Sequence, residues 1–250
     1  MALHKVFDRP AALTDALYAY CPGCTHGIAQ RLFGEVVEEM GLIERAVAVI
    51  GSGCLSASRQ VFNFDTVKAL HGRAPSVATG IKRAHPELLV FTVQGDGDLA
   101  GIGAADVIHA ATRGERISTC FMNNATFGMT GGQMGPTTLP GQKTTTTPDG
   151  RDPLLDGHPV RITEMLAMAQ GAAYVARTAL NLPTNVIRTK MAIRRAFETQ
   201  LAGLGFSVLE ILSACPTDWH LTPVEALRWM EHMIAAAPLG ELKVPEGRAR

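Results

Sequence analysis

Residues 88–122 constrain this chain more than any other stretch. A buried strand is expected over 88–93, followed at once by Gly95-Asp96-Gly97-Asp98. A helical apolar stripe (Ile102, Val107, Ile108, Ala111) then runs over 99–112, and 117–122 is a second buried strand. Strand, tight turn, helix and strand make a βαβ unit, which sets the two strands parallel. Parallel strands need helices on both faces, and the rest of the chain supplies them. Helical spacing runs over 24–40 through Ile28, Leu32, Val36 and Val37, and helices are expected over 76–85, 162–172, 185–204 and 223–237. Further strands are expected over 46–50, 174–179 and 206–212. The expected fold class is therefore α/β, a parallel-rich sheet flanked by helices. There is no repeat, no low-complexity tract longer than 143–147 and no second domain boundary, so 1–250 is expected to be a single domain ending in a polar tail over 242–250.

At 250 residues, 46% apolar and 18% charged, the chain is long enough to bury a sizeable core. Its 23 basic and 23 acidic side chains cancel, which argues against nucleic acid or an anionic membrane as the main partner. No run of eighteen apolar residues occurs and residues 1–10 carry no signal-peptide pattern, so a cytoplasmic location is expected. In that compartment the five cysteines, at 21, 24, 54, 120 and 215, point to metal or redox chemistry rather than a disulfide scaffold.

The two glycines of the 95–98 turn let the backbone approach an anion closely, and the helix behind it offers free N–H groups. Asp96 would repel a phosphate, so its position makes sense if it holds a divalent cation that bridges phosphate oxygens. Mg²⁺ takes oxygen ligands of this kind. The next strand ends in Asn123-Asn124, a second oxygen donor at the carboxyl edge, where open α/β sheets bind ligands. A bare Gly-Asp-Gly is also a frequent turn, and Asp98 is a candidate helix N-cap. From 123 to about 159 the chain is rich in Gly, Thr and Pro, and an irregular segment of that length is usually functional.

A Gly-Asp-Gly followed at this distance by paired asparagines resembles the thiamine diphosphate signature. That resemblance implies Mg²⁺ held by Asp96, the Asn124 side chain and the Thr126 carbonyl. The run Asn123-Asn124-Ala125-Thr126-Phe127-Gly128-Met129-Thr130-Gly131-Gly132-Gln133, continuing to Pro136-Thr137-Thr138, is similar to a stretch of 2-oxoacid:ferredoxin oxidoreductase β subunits. So is His71-Gly72-Arg73-Ala74 followed by Ala78-Thr79-Gly80-Ile81-Lys82, and the likeness continues through Pro223-Val224-Glu225-Ala226-Leu227 and Pro238-Leu239-Gly240. It implies a thiamine-diphosphate-binding fold with the cofactor bordered by Ser52, Gly53, Cys54, Leu55, Gly128 and Met129. His71, Gly95, Asp96, Gly97, Asp98 and Asn124 would stand around the diphosphate. Apart from the resemblance, His71 reads as a satisfied buried histidine.

Cys21-Pro22-Gly23-Cys24 sets two thiols on a tight turn ahead of a helix, whose N-terminus favours the thiolate. Cys54, in Gly51-Ser52-Gly53-Cys54, and Cys215, before Pro216-Thr217, are the natural completing pair for a four-thiolate cluster. Cys120, mid-strand, reads as a small buried hydrophobe. Taken alone, a C-x-x-C equally suits thiol–disulfide exchange or half a zinc site. The family resemblance implies that Cys21, Cys24, Cys54 and Cys215 ligate a [4Fe–4S] cluster. Thr25 departs from the glycine common in relatives.

The same resemblance implies oxidative decarboxylation of a 2-oxoacid to acyl-coenzyme A and CO₂, with electrons passing through the cluster to ferredoxin. A carboxylate that activates the thiamine ring is expected from a partner α subunit, since Glu35, Glu38 and Glu39 read as an ordinary solvated helix face. Further γ and δ subunits are expected as well. Branched-chain 2-oxoacids are the first expectation, because the run over 140–147 and Pro238-Leu239-Gly240 resemble the 2-oxoisovalerate group; 2-oxoglutarate and pyruvate stay open. The rival readings are a cluster-free thiamine-dependent decarboxylase subunit and a zinc-stabilised non-catalytic scaffold.

Overall fold

A computed structural model describes residues 8–245. Its strands are β1 (Ala46–Ile50), β2 (Asp65–Lys68), β3 (Leu89–Gly95), β4 (Ser118–Asn123), β5 (Ala172–Ala179), β6 (Phe206–Leu212) and β7 (Gly240–Lys243). They form one sheet in the order β2-β1-β3-β4-β6-β5-β7, parallel throughout except for β7, which runs antiparallel to β5. The helices are α1 (His26–Glu39), α2 (Ser58–Val61), α3 (Ala74–Ala84), α4 (Ala104–Arg113), α5 (Pro153–Asp156), α6 (Ile162–Ala167), α7 (Pro183–Leu201), α8 (Pro216–Trp219) and α9 (Pro223–Ala236). Among the described residues, no helix is long and apolar enough to cross a membrane.

Alternation along each strand divides the apolar side chains between two layers. Ala48, Ile50, Phe91, Met122 and Ile211 face the layer built from α1 and α7, while Val47, Val49, Val90, Phe121 and Val208 face that of α3, α4 and α6. Both faces of the central strands are covered, so their polar residues, among them Gln94, Asn123, Arg177 and Glu210, are buried as well. α9 is fixed at its start by a capping box between Thr222 and Glu225, and it lays Ala226, Met230 and Met233 over Ala125, Ala179 and Leu212.

The helix expected over 99–112 does not begin as an α-helix. Gly97–Ile102 is a π turn and α4 starts only at Ala104. The wider turn shifts the helical phase, so Ile102 leaves the stripe and is 53% exposed. Ile28 also falls off its stripe and is 39% exposed. The helix expected over 162–172 stops at Ala167, because β5 already starts at Ala172. Leu242 and Lys243 are not tail but edge strand β7, and the tail at 246–250 lies outside the described residues, as do residues 1–7. β2 went unforeseen because Asp65-Thr66-Val67-Lys68 lies mostly exposed at the sheet edge and carries one aliphatic residue.

β1, β3, β4 and β6 are parallel neighbours, so their carboxyl ends share one edge. The loops that leave these four strands carry, in sheet order, Cys54, Asp96, Asn124 and Cys215.

Candidate active site

The turn after β4 is set by one residue in a left-handed conformation, Ala125 at φ 54°. The Asn123 side chain holds it by accepting the Ala125 N–H at 3.0 Å. This turn brings the Asn124 side chain and the Thr126 carbonyl to one point beside Asp96. The Asn124 amide oxygen stands 3.0 Å from Asp96 Oδ1 and 2.8 Å from the Thr126 oxygen. Three acceptors at these separations require either the amide turned over, so that its NH₂ donates to both neighbours, or a cation between them. Cis oxygens around Mg²⁺, at about 2.0–2.1 Å from the ion, lie roughly 2.9 Å apart. The Asn124 amide atom thus lies near that spacing from both Asp96 Oδ1 and the Thr126 carbonyl, the groups that the family resemblance implies as ligands. Asp96 is 2% exposed, and burial pushes its carboxyl up to about 7 against the lowering hydrogen bonds from Thr137 and backbone amides. A cation would offset that cost of burial.

Thr137 was not foreseen as a site residue, since a threonine announces no chemistry. Its Oγ1 donates to Asp96 Oδ2 at 2.5 Å, which leaves Oδ1 to face Asn124. Behind it Asn123 Nδ2 donates to Glu210 Oε1 at 2.7 Å, and Glu210 Oε2 accepts from Arg177 Nε at 2.7 Å and Thr163 Oγ1 at 2.6 Å. Arg177 also donates to Glu164 Oε2 at 2.8 Å. Burial opposes ionisation of Glu164, but the Arg177 and Arg161 guanidiniums more than offset it and hold the carboxyl at about 2. A second unforeseen cation organises the irregular segment: Arg151 is 5% exposed and donates to the carbonyls of Thr138, Gly157 and His158 at 2.7–3.0 Å.

Asp98 does not cap a helix. It ties its own turn to the loop at Gly72 and to β3: Oδ1 accepts the Gly72 N–H at 2.7 Å and Oδ2 accepts Gln94 Nε2 at 2.8 Å. His71 Nδ1 lies 2.6 Å from the same Oδ1, a contact without hydrogen-bond alignment. His71 is not the buried, satisfied residue of the bland reading, because its side chain is 38% exposed over the cavity. Close packing fixes the glycines around it. A Cβ on Gly51 would sit 2.0 Å from Asp98 Oδ2, and one on Gly97 would sit 2.1 Å from the Phe127 ring.

Cys21 is exposed, Cys24 and Cys54 are half-buried and Cys215 is buried. Cys24 lies within electrostatic reach of Cys54, Cys21 and Cys215. The expected thiolate preference at the helix start is overturned. Burial pushes the Cys24 thiol up to about 12 despite a hydrogen bond from the His26 N–H, and neighbouring thiols add to the rise. Burial also raises Cys54 and Cys215, and Cys215 Sγ donates to Asp218 Oδ2 at 3.1 Å. Such thiols ionise only on meeting positive charge. Among the described residues, no three His, Cys, Asp or Glu side chains are grouped so as to hold a metal ion. Cys120 is fully buried in the core.

One cavity of about 140 Å³ contains the whole nominated cofactor set: Ser52, Gly53, Cys54, Leu55, His71, Gly95 through Asp98, Asn124, Gly128 and Met129. Larger cavities of about 310 and 350 Å³ lie elsewhere, so volume alone does not pick out the site. Gly128 stands where the oxygen side of the cavity meets the cysteine side; a Cβ there would lie 3.5 Å from Asn124 Nδ2 and 3.6 Å from Cys215 Sγ. His26, also unforeseen, lines the cavity, and burial drives its pKa down to about 4. Glu35 and Glu39 are not simply solvated. They bind Lys190 at 2.7 and 2.6 Å and so join α1 to α7, leaving neither free as an activating acid here.

Fold and carboxyl-edge geometry define a thiamine-diphosphate-binding domain, and residues 49–211 match the family described as thiamine pyrophosphate enzyme, C-terminal TPP binding domain. The chain belongs to the 2-oxoacid:ferredoxin oxidoreductase subunits that carry this domain. It is 45% identical over 217 residues to ketoisovalerate oxidoreductase subunit VorA of Methanothermobacter thermautotrophicus, covering 87% of this chain and 46% of that one. It is 38% identical over 212 residues to 2-oxoglutarate synthase subunit KorB of Archaeoglobus fulgidus, covering 85% and 75%. The chain thus spans about half the length of the ketoisovalerate relatives. A solved 2-oxoglutarate:ferredoxin oxidoreductase from Magnetococcus marinus shares the fold, with a TM-score of 0.82 at 24% identity over 98% of this chain and 87% of that one.

Proposed function

We propose that this chain is the thiamine-diphosphate-binding β subunit of a coenzyme A-dependent 2-oxoacid:ferredoxin oxidoreductase acting on branched-chain 2-oxoacids. The net reaction converts a 2-oxoacid and coenzyme A into acyl-coenzyme A and CO₂, with two electrons passing one at a time to ferredoxin and one proton released. The observation that carries this reading is the placement of the buried Asp96 carboxylate, the Asn124 side-chain amide and Thr126 together on one wall of the cavity at the carboxyl edge of the sheet. Those groups would hold Mg²⁺ and through it the diphosphate, with Gly97 giving close backbone approach and His71 facing the same cavity. Ser52 through Leu55 and Gly128 with Met129 would wall the ring end. When bound, thiamine diphosphate supplies the electron sink for loss of CO₂, and a [4Fe–4S] cluster accepts electrons singly. Cys21, Cys24, Cys54 and Cys215 would hold that cluster, one thiolate to each iron; Cys24 lies within electrostatic reach of the other three. The branched-chain preference follows the ketoisovalerate relatives.

Among the described residues the carboxylates lining the cavity, Asp96 and Asp98, are both engaged, and the acid that activates the thiamine ring is assigned to an α subunit, with γ and δ subunits completing a cytoplasmic complex. The test is an anaerobic absorption and EPR spectrum of the chain co-expressed with its partner, with thiamine diphosphate, Mg²⁺, coenzyme A and a panel of 2-oxoacids. A [4Fe–4S] signal reduced on adding 2-oxoisovalerate is the expected result. A colourless protein that still binds thiamine diphosphate would leave a decarboxylase subunit without electron transfer.

A further inference from the structure

We propose that His26 contacts substrate in this site, its imidazole donating to an oxygen of the 2-oxoacid beside the reacting end of the thiamine cofactor. The inference rests on the function proposed above. His26 opens α1 and is 4% exposed, yet it lines the cavity shared by Cys54, Leu55, Asp96 and Asn124. Neither ring nitrogen has a hydrogen-bond partner in the chain. A buried polar group without a partner costs stability, and native chains rarely keep one. One kept at a cavity wall points to a partner that arrives through the cavity.

The hydroxyls of Tyr20 and Thr25 are already engaged, while the Gln30 side chain, one helical turn on, has no partner either. Tyr20 approaches the imidazole with 5.4 Å between ring centroids, crossed edge to face, and its hydroxyl lies 3.3 Å from Ser58 Oγ. The Thr25 hydroxyl is taken by Ser213 Oγ at 2.9 Å and by the Ala214 N–H at 2.9 Å. His26 follows Cys24 by two residues and so stands on the cysteine side of the cavity. The oxygens that would hold Mg²⁺ and diphosphate are Asp96, Asn124 and Thr126, on the other side. A cofactor seated by its diphosphate there would extend along the cavity toward the cysteine side, where His26 stands. The oxygens in need of a donor at that end are the keto and carboxylate oxygens of the 2-oxoacid.

The test uses the co-expressed complex under anaerobic conditions with His26→Leu and His26→Gln. Three quantities are read: KM and kcat for 2-oxoisovalerate with a viologen acceptor, the melting temperature with and without thiamine diphosphate and Mg²⁺, and the cluster midpoint potential. Without ligands His26→Leu melts at or above the wild-type temperature, because an orphaned polar group has gone. Its KM rises about tenfold, the loss of one hydrogen bond worth about 1.4 kcal/mol. The thiamine-dependent shift and the cluster potential stay put, and His26→Gln recovers part of the KM. If His26→Leu does not assemble, His26→Phe provides the same readings. An unchanged KM overturns the inference, as does a moved cluster potential with KM intact, which would place the imidazole on the cluster. A wild-type complex that no 2-oxoacid reduces defeats the proposed function itself, a different result from an active complex indifferent to His26.

Discussion

The two sides of the cavity are built on opposite principles. On the oxygen side, Asp96, Asn123, Thr137, Glu210 and Arg177 are buried and linked through one another's hydrogen bonds. The chain itself decides where Asp96 Oδ1 points. On the cysteine side, Cys21 is exposed, the thiols of Cys24, Cys54 and Cys215 are raised by burial, and His26 and Gln30, one helical turn apart, have no partners for their polar side-chain atoms. A fully satisfied polar network rigidifies and specifies geometry, whereas unsatisfied groups gain their order from what binds. One side is thus preorganised to anchor a ligand. The other is left to be completed by one.

The largest effect should come from breaking the network on the first side. Arg177→Met strips the buried Glu210 and the half-buried Glu164 carboxylates of their shared cation. Removing one partner of a buried pair costs on the order of 3–5 kcal/mol. Denaturant unfolding of the metal-free protein measures it. The acid limb changes with it. Glu164, held at about 2 in the fold, contributes stability that is present above its ordinary value of 4.5 and lost as pH falls toward 2. In Arg177→Met that loss between 4.5 and 2 shrinks, because the guanidinium that outweighed burial has gone. An unchanged acid limb would mean that the network does not hold the oxygen side.

The sequence made the two sides unequally legible. Gly95-Asp96-Gly97 and Asn124 were visible because the βαβ rule brings both to the carboxyl edge, whereas the four cysteines were joined as one set only through the family resemblance. The supports were not visible. Thr137 and Arg151 lie in the Gly-, Thr- and Pro-rich segment, where no periodicity fixes which side chains turn inward, and Arg177 and Glu210 lie mid-strand, where a charge argues against burial until its partner on the neighbouring strand is known. Asp98 misled for a related reason: a polar residue ahead of a helix looks like a cap, and only the approach of Gly72 and Gln94 makes it a tether. The π turn at Gly97–Ile102 eluded a stripe drawn at a constant 3.6-residue period.

A middling effect separates anchoring from mere packing. Thr137→Val keeps the shape but removes the donor that holds Asp96 Oδ2, so the carboxylate is free to turn away from Asn124 and Thr126. The complex should lose about 1 kcal/mol of stability, the ordinary worth of one such bond. Its affinity for Mg²⁺, followed through Mg²⁺-dependent thiamine diphosphate binding, should fall about tenfold. Equal Mg²⁺ affinity in the two proteins would show that Asp96 needs no support from the 136–138 turn.

The smallest effect sharpens the contrast from within the cysteines. Cys120 and Cys24 carry the same thiol, and burial raises both, yet Cys120 sits in the core between sheet and helices while Cys24 sits on the cavity's cysteine side. Cys120→Ala removes one buried sulfur and should cost about 1 kcal/mol or less while leaving iron per chain unchanged. Cys24→Ser should do the reverse: iron content falls, while the stability of the cluster-free protein barely moves, because the serine oxygen still accepts from the His26 N–H. Anaerobic iron and sulfide analysis beside denaturant unfolding separates the two. If Cys120→Ala lowered iron, a core thiol would be reaching the cluster. If Cys24→Ser left iron intact, the cysteine side would be ordered by something other than a cluster.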